Sequence, residues 1–130
     1  MKHVLSVLSG FALWTALFLT GNQVLFRAFR ARFDENMVTT DTAVLALTLG
    51  LTVLYSLAAG SLTARLAPGA PLGHAAALGA VQTLIGIGVQ SAYWSAIPLW
   101  YHLGFLGLLF PATVVGALVT VRRAPVPATS

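Results

Sequence analysis

The sequence predicts an all-α fold: a polytopic membrane protein in which four transmembrane helices form one antiparallel bundle, with an amphipathic interfacial segment after helix one. Of the 130 residues, 58% are hydrophobic and 8% are charged, whereas about a quarter of the residues of soluble domains are charged. The charges lie in short islands, and residues 66–121 contain no Asp, Glu, Lys or Arg. Two membrane-spanning helices joined by a short turn account for such a run, but the surface of a soluble domain does not.

The first two spans are predicted at about residues 4–21 and 43–64. About 20 apolar residues are needed to cross a bilayer as a helix. The first span follows Lys2 and resembles a signal peptide, but no small-x-small cleavage site follows it, so we expect an uncleaved anchor. The second span follows Thr40-Asp41-Thr42, and each of these residues is able to cap the free amides of a helix.

The third and fourth spans are predicted at about residues 74–93 and 98–121. Two short joints, APGAPLG at 67–73 and YWSAIP at 93–98, carry the Pro and Gly residues that are typical of turns. Short joints place consecutive helices side by side in opposite directions. We therefore expect helices two, three and four to be neighbours, with Pro98 in the first turn of helix four.

Residues 1–121 are expected to form a single transmembrane domain, and residues 122–130 a basic, proline-containing tail. Orientation follows from the basic residues near the ends of the spans. One side of the membrane would hold Lys2, Arg65, Arg122 and Arg123, and the other Arg27, Arg30 and Arg32. Four against three gives a slight preference for cytoplasmic termini.

The segment FRAFRARFDEN, residues 26–36, concentrates most of the charge of the first joint. On a helix its phenylalanines share one narrow face and its arginines flank that face, which indicates an amphipathic helix that continues helix one along the interface. Arg30 with Asp34, and Arg32 with Glu35, are spaced to pair along that helix. Docking of a partner on the same face stays open. The residues expected to contact the lipid interface are Phe26, Arg27, Phe29, Arg30, Arg32 and Phe33.

Polar and small residues form stripes inside the predicted spans. Thr52 and Ser56 repeat at a spacing of four in helix two, and Gln82 and Gln90 lie on one side of helix three. One interpretation is a weakly polar solute path between helices two and three. The other is helix packing, in which small residues let backbones approach and amides bond across the contact. The packing interpretation is favoured.

The residue types offer little for catalysis, metals or cofactors. There are no cysteines and no G-x-S-x-G context around a serine. His102 lies on the same side of the membrane as Asp34, Glu35 and Asp41, but no fixed spacing supports a metal or acid–base cluster, so an interfacial histidine is expected. His3 and His74 share the other side. We expect no catalytic residue, no bound metal and no cofactor.

Nucleic acid is not an expected partner. The seven Lys and Arg residues are spread over four islands, whereas binding a phosphate backbone requires many basic side chains on one face.

Three segments, GSLTARLAP (60–68), HAAALG (74–79) and PLWY (98–101), resemble an uncharacterised family of small four-helix bacterial integral membrane proteins. The resemblance implies a bacterial inner-membrane location and brings no activity or substrate with it. In size and helix count the chain also resembles small multidrug-resistance exporters. Their mechanism depends on a membrane-embedded glutamate in helix one, and residues 4–21 contain none.

Together these patterns predict a non-enzymatic membrane protein that acts through helix packing with lipids or a membrane partner. The expected partners are the lipid bilayer and either another membrane protein or a second copy of the chain. The alternative is a small-solute transporter or channel component. An enzyme that uses His102 or Asp34 ranks third.

Overall fold

A computed structural model describes residues 2–123 and shows four long helices, which confirms the predicted fold class. The helices contain 22 to 27 residues, or about 33–40 Å at 1.5 Å per residue, enough for a hydrocarbon layer of about 30 Å. All four are long and apolar enough to span a membrane. They are α1 (Lys2–Ala28), α2 (Thr42–Leu66), α3 (Pro71–Ala92) and α4 (Leu99–Arg123), and a short 3₁₀ turn (Arg30–Arg32) follows α1.

All four helices are longer than the sequence predicts. α4 ends at Arg123, so Arg122 and Arg123 of the predicted tail are helical, and the rest of that tail, residues 124–130, lies outside the described residues. α1 continues to Ala28, so Phe26 and Arg27 belong to the helix itself. α3 begins at Pro71 instead of His74. The second proline of the APGAPLG joint is therefore helical, because a proline at the first helical position has no amide hydrogen to leave unbonded. Ala70 precedes it in the left-handed conformation, with φ 46°.

The start of α2 is set by one carboxylate. Asp41 caps the helix and accepts a hydrogen bond from the amide of Val44 at 3.0 Å. That bond, together with nearby Arg32, holds the pKa of Asp41 below its ordinary value. A lowered pKa in the folded state means that the cap stabilises the fold above pH about 4 and is lost as the pH falls further.

α2 is the helix on which the bundle is organised, since it packs along both α4 and α1, while α3 packs mainly on α4. The connections from α2 to α3 and from α3 to α4 are short. Each reverses the chain direction, so α2 and α4 run parallel to each other although α3 separates them in sequence.

The backbones of α2 and α4 approach very closely at a pair of glycines. A Cβ atom on Gly60 would overlap the carbonyl oxygen of Thr113, and one on Gly116 would overlap the carbonyl oxygen of Leu57. In both cases the carbonyl belongs to the residue three positions before the facing glycine, so the contact is reciprocal. Such proximity allows Cα–H to carbonyl contacts between parallel helices. Only glycine fits at either position.

Aromatic rings fill the space between α1 and α4. Trp14 stacks on Phe18 with ring centroids 5.3 Å apart, and the edge of Phe18 meets Phe105 at 5.9 Å. Trp14 and Phe105 are buried. Large aliphatic side chains point outward instead, with Leu84 70% and Leu54 58% exposed. The bundle therefore has an aromatic interior and a surface suited to hydrocarbon.

We predict that Gly60→Ala and Gly116→Ala each lower the free energy of unfolding by at least about 1–3 kcal/mol, because the added methyl group overlaps backbone that has no room to move. The measurement is unfolding of the purified protein in detergent.

Gly50→Ala in α2 and Gly107→Ala in α4 are matched controls, since a Cβ at either position meets nothing within 4 Å. We expect these changes to be neutral or to stabilise by up to about 1 kcal/mol through helix propensity. Equal stability of Gly60→Ala and Gly50→Ala would contradict the close approach.

Candidate functional site

The polar side chains buried between α3 and α4 form two hydrogen-bonded pairs along one contact, which we call the polar seam and define as Gln82, Gln90, His102 and Thr113. All four are buried. Gln90 lies at the end of α3 and His102 at the start of α4, so the turn between the two helices brings them together. Gln82 and Thr113 lie deeper along the same pair of helices.

His102 is held on three sides. Its Nδ1 lies 2.5 Å from Gln90 Oε1, its Nε2 lies 3.1 Å from the carbonyl oxygen of Trp94, and its ring stacks on the Trp94 indole at 4.6 Å. The side chain has no exposed surface. The α3–α4 turn folds over the ring and covers it, so the side chain is enclosed by protein, and its position at the membrane interface stays a prediction.

The tautomer of His102 and the orientation of the Gln90 amide are set together. The two ring nitrogens face Gln90 Oε1 and the carbonyl oxygen of Trp94, and a neutral imidazole has a single N–H. With the hydrogen on Nδ1 the ring donates to Gln90 Oε1. With the hydrogen on Nε2 it donates to Trp94, and a turned Gln90 amide then donates to Nδ1.

Deeper in the seam the Thr113 hydroxyl donates to Gln82 Oε1 at 2.6 Å. The amide nitrogen of Gln82, the indole nitrogen of Trp14 and the hydroxyl of Ser56 are buried and have no hydrogen-bond partner among residues 2–123. These groups lie near the middle of their helices, where an unpaired polar group is costly. Thr52 is different, because its hydroxyl donates to the Thr48 carbonyl within α2.

Both glutamines are bonded to α4. A path between helices two and three would need their amides to face α2, and the structure pairs them with His102 and Thr113 instead. The two glutamines therefore belong to the contact between α3 and α4, whereas neither the Thr52 hydroxyl nor the Ser56 hydroxyl bonds to another helix among residues 2–123. Their use in function stays a prediction.

A cavity of about 400 Å³ opens at the end of the bundle where α1 ends and α2 begins. The amides of Asn22, Gln23 and Gln90 reach it, and Phe26 and Phe33 form part of its wall. No charged side chain is among its lining residues. A largely apolar cavity with a few amides fits a small neutral molecule that forms hydrogen bonds. Gln90 belongs both to this wall and to the polar seam.

The predicted amphipathic segment does not form one continuous helix. α1 ends at Ala28, and Asp34 then turns the chain by accepting hydrogen bonds from the amides of Asn36 and Val38 at 2.8 and 2.9 Å. Across the end of α1 and the 3₁₀ turn, Phe33 meets the edge of Phe26 at 5.2 Å. Both rings, expected to contact lipid, are half-buried over the cavity.

The arginines of the segment are exposed, and two of them cover aromatic rings. The guanidinium of Arg30 lies 5.8 Å from the centre of Phe26, and that of Arg32 lies 5.7 Å from Phe29, which is half-buried. Arg32 also pairs with Asp41 at 3.2 Å, not with Glu35 as the helical spacing suggested. Arg27 is exposed on the last turn of α1. Lipid contact by these side chains stays a prediction.

His3 and His74 do meet, as their shared side of the membrane suggests. His3 Nδ1 lies 2.8 Å from His74 Nε2, and the rings stack at 5.0 Å. Across residues 2–123, no three His, Asp or Glu side chains come close enough together to hold a metal ion. His102 in particular bonds to Gln90 and Trp94 and joins no acidic cluster.

Sequence reasoning missed Thr113, the partner of Gln82, and the contact of Gly116 with α2. A usable signal existed for Gln90 and His102, since both lie three or four residues from the short joint at 93–98 and hairpin helices pair residues equidistant from their turn. No local signal marks Gly116, whose importance comes from the contact between α2 and α4, two helices that are not consecutive.

No protein-family model matches the chain, and neither a curated protein nor a solved structure is significantly similar to it. The resemblance to small four-helix bacterial membrane proteins therefore stays a prediction.

We predict that Gln90→Leu and His102→Phe each destabilise the bundle by about 1–2 kcal/mol, because each leaves a buried polar partner unpaired. The double variant should lose less than the sum of the two, since both partners are then apolar. A double-mutant cycle measured by unfolding in detergent tests this. Gln23→Leu is the control, because the Gln23 side chain is exposed and its loss should be nearly neutral. Additive effects of the two changes would contradict the pairing.

Proposed function

We propose that the protein acts in the membrane through contacts with lipids or with another membrane protein, without catalysing a reaction. The observation that carries this proposal is the polar seam. Its side chains are buried and bonded to one another across α3 and α4, while large aliphatic side chains cover the outward faces. Such an aliphatic surface is suited to contact with lipids or with another membrane protein. The polar seam holds α3 against α4 and so keeps that surface rigid.

A transport path along the seam is less well supported, because a solute would have to replace bonds that already exist. The His102 ring is closed in by Gln90 and by the carbonyl and indole of Trp94. Opening it would expose three polar groups to an apolar surrounding, each at a cost. The seam is therefore better suited to holding α3 against α4 than to passing a solute.

A solute-handling role is the second candidate, and the cavity of about 400 Å³ favours it. Gln90 connects the cavity wall to His102, an ionisable side chain buried in a membrane-spanning helix. Such residues are frequently functional. In this alternative the cavity binds a small neutral solute, and the Gln90 amide in its wall, held by His102, forms a hydrogen bond with it.

We further propose that the membrane is a bacterial inner membrane and that both termini are cytoplasmic. The location rests on the resemblance of three segments to small bacterial membrane proteins. The orientation rests on Lys2, Arg65, Arg122 and Arg123, which outnumber the arginines at the opposite ends of the helices. Of those opposing arginines, Arg32 is paired with Asp41.

The contact proposal predicts a specific neighbour in the membrane. A photo-reactive phenylalanine analogue at Leu84 of α3 or at Leu54 of α2 faces outward and should form a discrete adduct with a protein when the cells are irradiated. A dedicated partner contacts one face, so one of the two positions should react far more than the other, and gel electrophoresis with mass spectrometry identifies the adduct. A second copy of the chain would appear as an adduct of twice the mass.

The outcome that contradicts the contact proposal is also defined. Three results together would favour solute handling. Neither position forms a protein adduct, the purified protein retains no lipid, and cells that contain a normal amount of Gln90→Leu lose solute accumulation.

The orientation proposal predicts the accessibility of two single cysteines. The chain has no cysteine, so Glu35→Cys, in the joint after α1, and Gly69→Cys, in the turn before α3, each give one label site. A maleimide that does not cross membranes should label Glu35→Cys from outside the inner membrane and should reach Gly69→Cys only after permeabilisation. The reverse pattern would place the termini outside.

A further inference from the structure

A groove runs between the second halves of α2 and α4 on the outer surface of the bundle. Its volume is about 630 Å³, and its floor and walls come from Leu57, Ala58, Gly116 and Val119. Arg65 and Arg123, in the last turns of the two helices, stand at its mouth. We call this feature the basic groove.

The basic groove lies beside the glycine contact between α2 and α4. Gly116 forms part of its floor, where the backbones of the two helices meet, and an apolar trough runs along this crossing. The trough extends from Arg65 back to Leu57, about 12 Å along the helix at 1.5 Å per residue. It therefore leads from the charged end of the helices toward the middle of the hydrocarbon layer.

The charge at the mouth of the groove has no acidic counterpart at that end. The chain has three acidic side chains, Asp34, Glu35 and Asp41, and all three lie between α1 and α2 at the opposite end of the bundle. Arg65 and Arg123 are exposed. Two cations above an apolar trough are complementary to an anion that carries a hydrocarbon chain.

The hydroxyl groups in the groove show which side chains would recognise the anion. Thr120 donates to the carbonyl oxygen of Gly116 at 2.9 Å, so Ser61, 2.5 Å from Thr120, is the donor in the bond between the two hydroxyls. Neither hydroxyl proton is left for a phosphate. Recognition of the anion falls on the two guanidinium groups.

We propose that the basic groove binds one anionic phospholipid, with its phosphate on Arg65 and Arg123 and an acyl chain along Leu57, Ala58 and Val119. The proposal rests on the contact function proposed above, and it names the lipid class and the place of contact. The trough accounts for a chain and the paired arginines account for the charge. A free phosphate ion would use the arginines alone.

Native mass spectrometry of the full chain, exchanged in detergent against phosphatidylglycerol or phosphatidylcholine, tests the proposal. We expect one phosphatidylglycerol to be retained in preference to phosphatidylcholine. Loss of one arginine should weaken retention about 5-fold, and loss of both about 30-fold, from the typical contribution of a basic residue near an anionic lipid. The variants are Arg65→Gln, Arg123→Gln and the double variant.

Arg122→Gln is the matched control, because Arg122 is an exposed neighbour of the same charge that does not line the groove. It should retain the lipid as the unchanged protein does. Ala58→Phe keeps every charge and fills the trough from its exposed side, so it should also reduce retention. Inorganic phosphate at millimolar concentration should not displace the lipid.

The groove is overturned if Arg122→Gln weakens retention as much as Arg65→Gln, if the double variant and Ala58→Phe both retain lipid fully, or if inorganic phosphate displaces it. If all the groove variants retain the lipid, the groove is not the binding site, but lipid contact remains the proposed function. Absence of any lipid preference removes both the groove and the lipid half of that function, and the partner half then depends on the photo-adducts alone.

Discussion

The close approach of α2 and α4 at Gly60 and Gly116 is the contact on which the rest of the bundle depends. Between helices in hydrocarbon there is no water to expel, so association depends on close packing and on polar groups that bond across the contact. Two glycines whose missing side chains admit each other's carbonyl oxygens bring these parallel helices to a short separation. α1 packs along α2 and α3 along α4, and α1 and α3 also contact each other, whereas the groove beside the crossing is lined by residues of α2 and α4.

The polar seam performs the same task for α3 by a different means. A helix with Gln82 and Gln90 on one face is poorly placed against lipid, because an amide without a partner in hydrocarbon is costly. Thr113 and His102 on α4 satisfy the two carbonyl oxygens and so select one rotation of α3. The match is incomplete, since the Gln82 amide nitrogen has no partner among residues 2–123. The indole of Trp14 and the hydroxyl of Ser56 also lie near the middle of their helices. The middle of the bundle therefore contains several buried polar groups without a hydrogen-bond partner among residues 2–123.

The number and approximate position of the helices could be predicted from the sequence, but the side-chain contacts between the helices could not. Bilayer thickness dictates helix length, so four apolar stretches separated by turns predict four spans directly. The start of α3 was missed because Pro71 reads as a turn residue although it suits a first helical turn. The structure of FRAFRARFDEN was missed because its helical spacing is amphipathic, whereas the chain leaves the helix at Ala28 and Asp34 accepts bonds from the amides that follow it. Phe26 and Phe33 then meet over the cavity, a contact that helical periodicity does not predict.

The two ends of the bundle consequently differ in chemistry, and this difference bears on function more than any single residue does. At the end formed by the joint after α1, the acids lie close to basic residues, Arg32 pairs with Asp41, and the cavity beneath is lined by uncharged groups. At the other end, Arg65 and Arg123 stand over an apolar trough with no acidic side chain beside them. A neutral cavity and a basic groove do not select the same molecule. The glycine contact lies between these two ends, closer to the basic groove, because Gly60 and Gly116 precede Arg65 and Arg123 by five and seven residues. From there the polar seam runs along α4 from Thr113 to His102, toward the end with the neutral cavity. The same pair of helices therefore carries the basic groove at one end and supports the polar contact with α3 along the rest of its length.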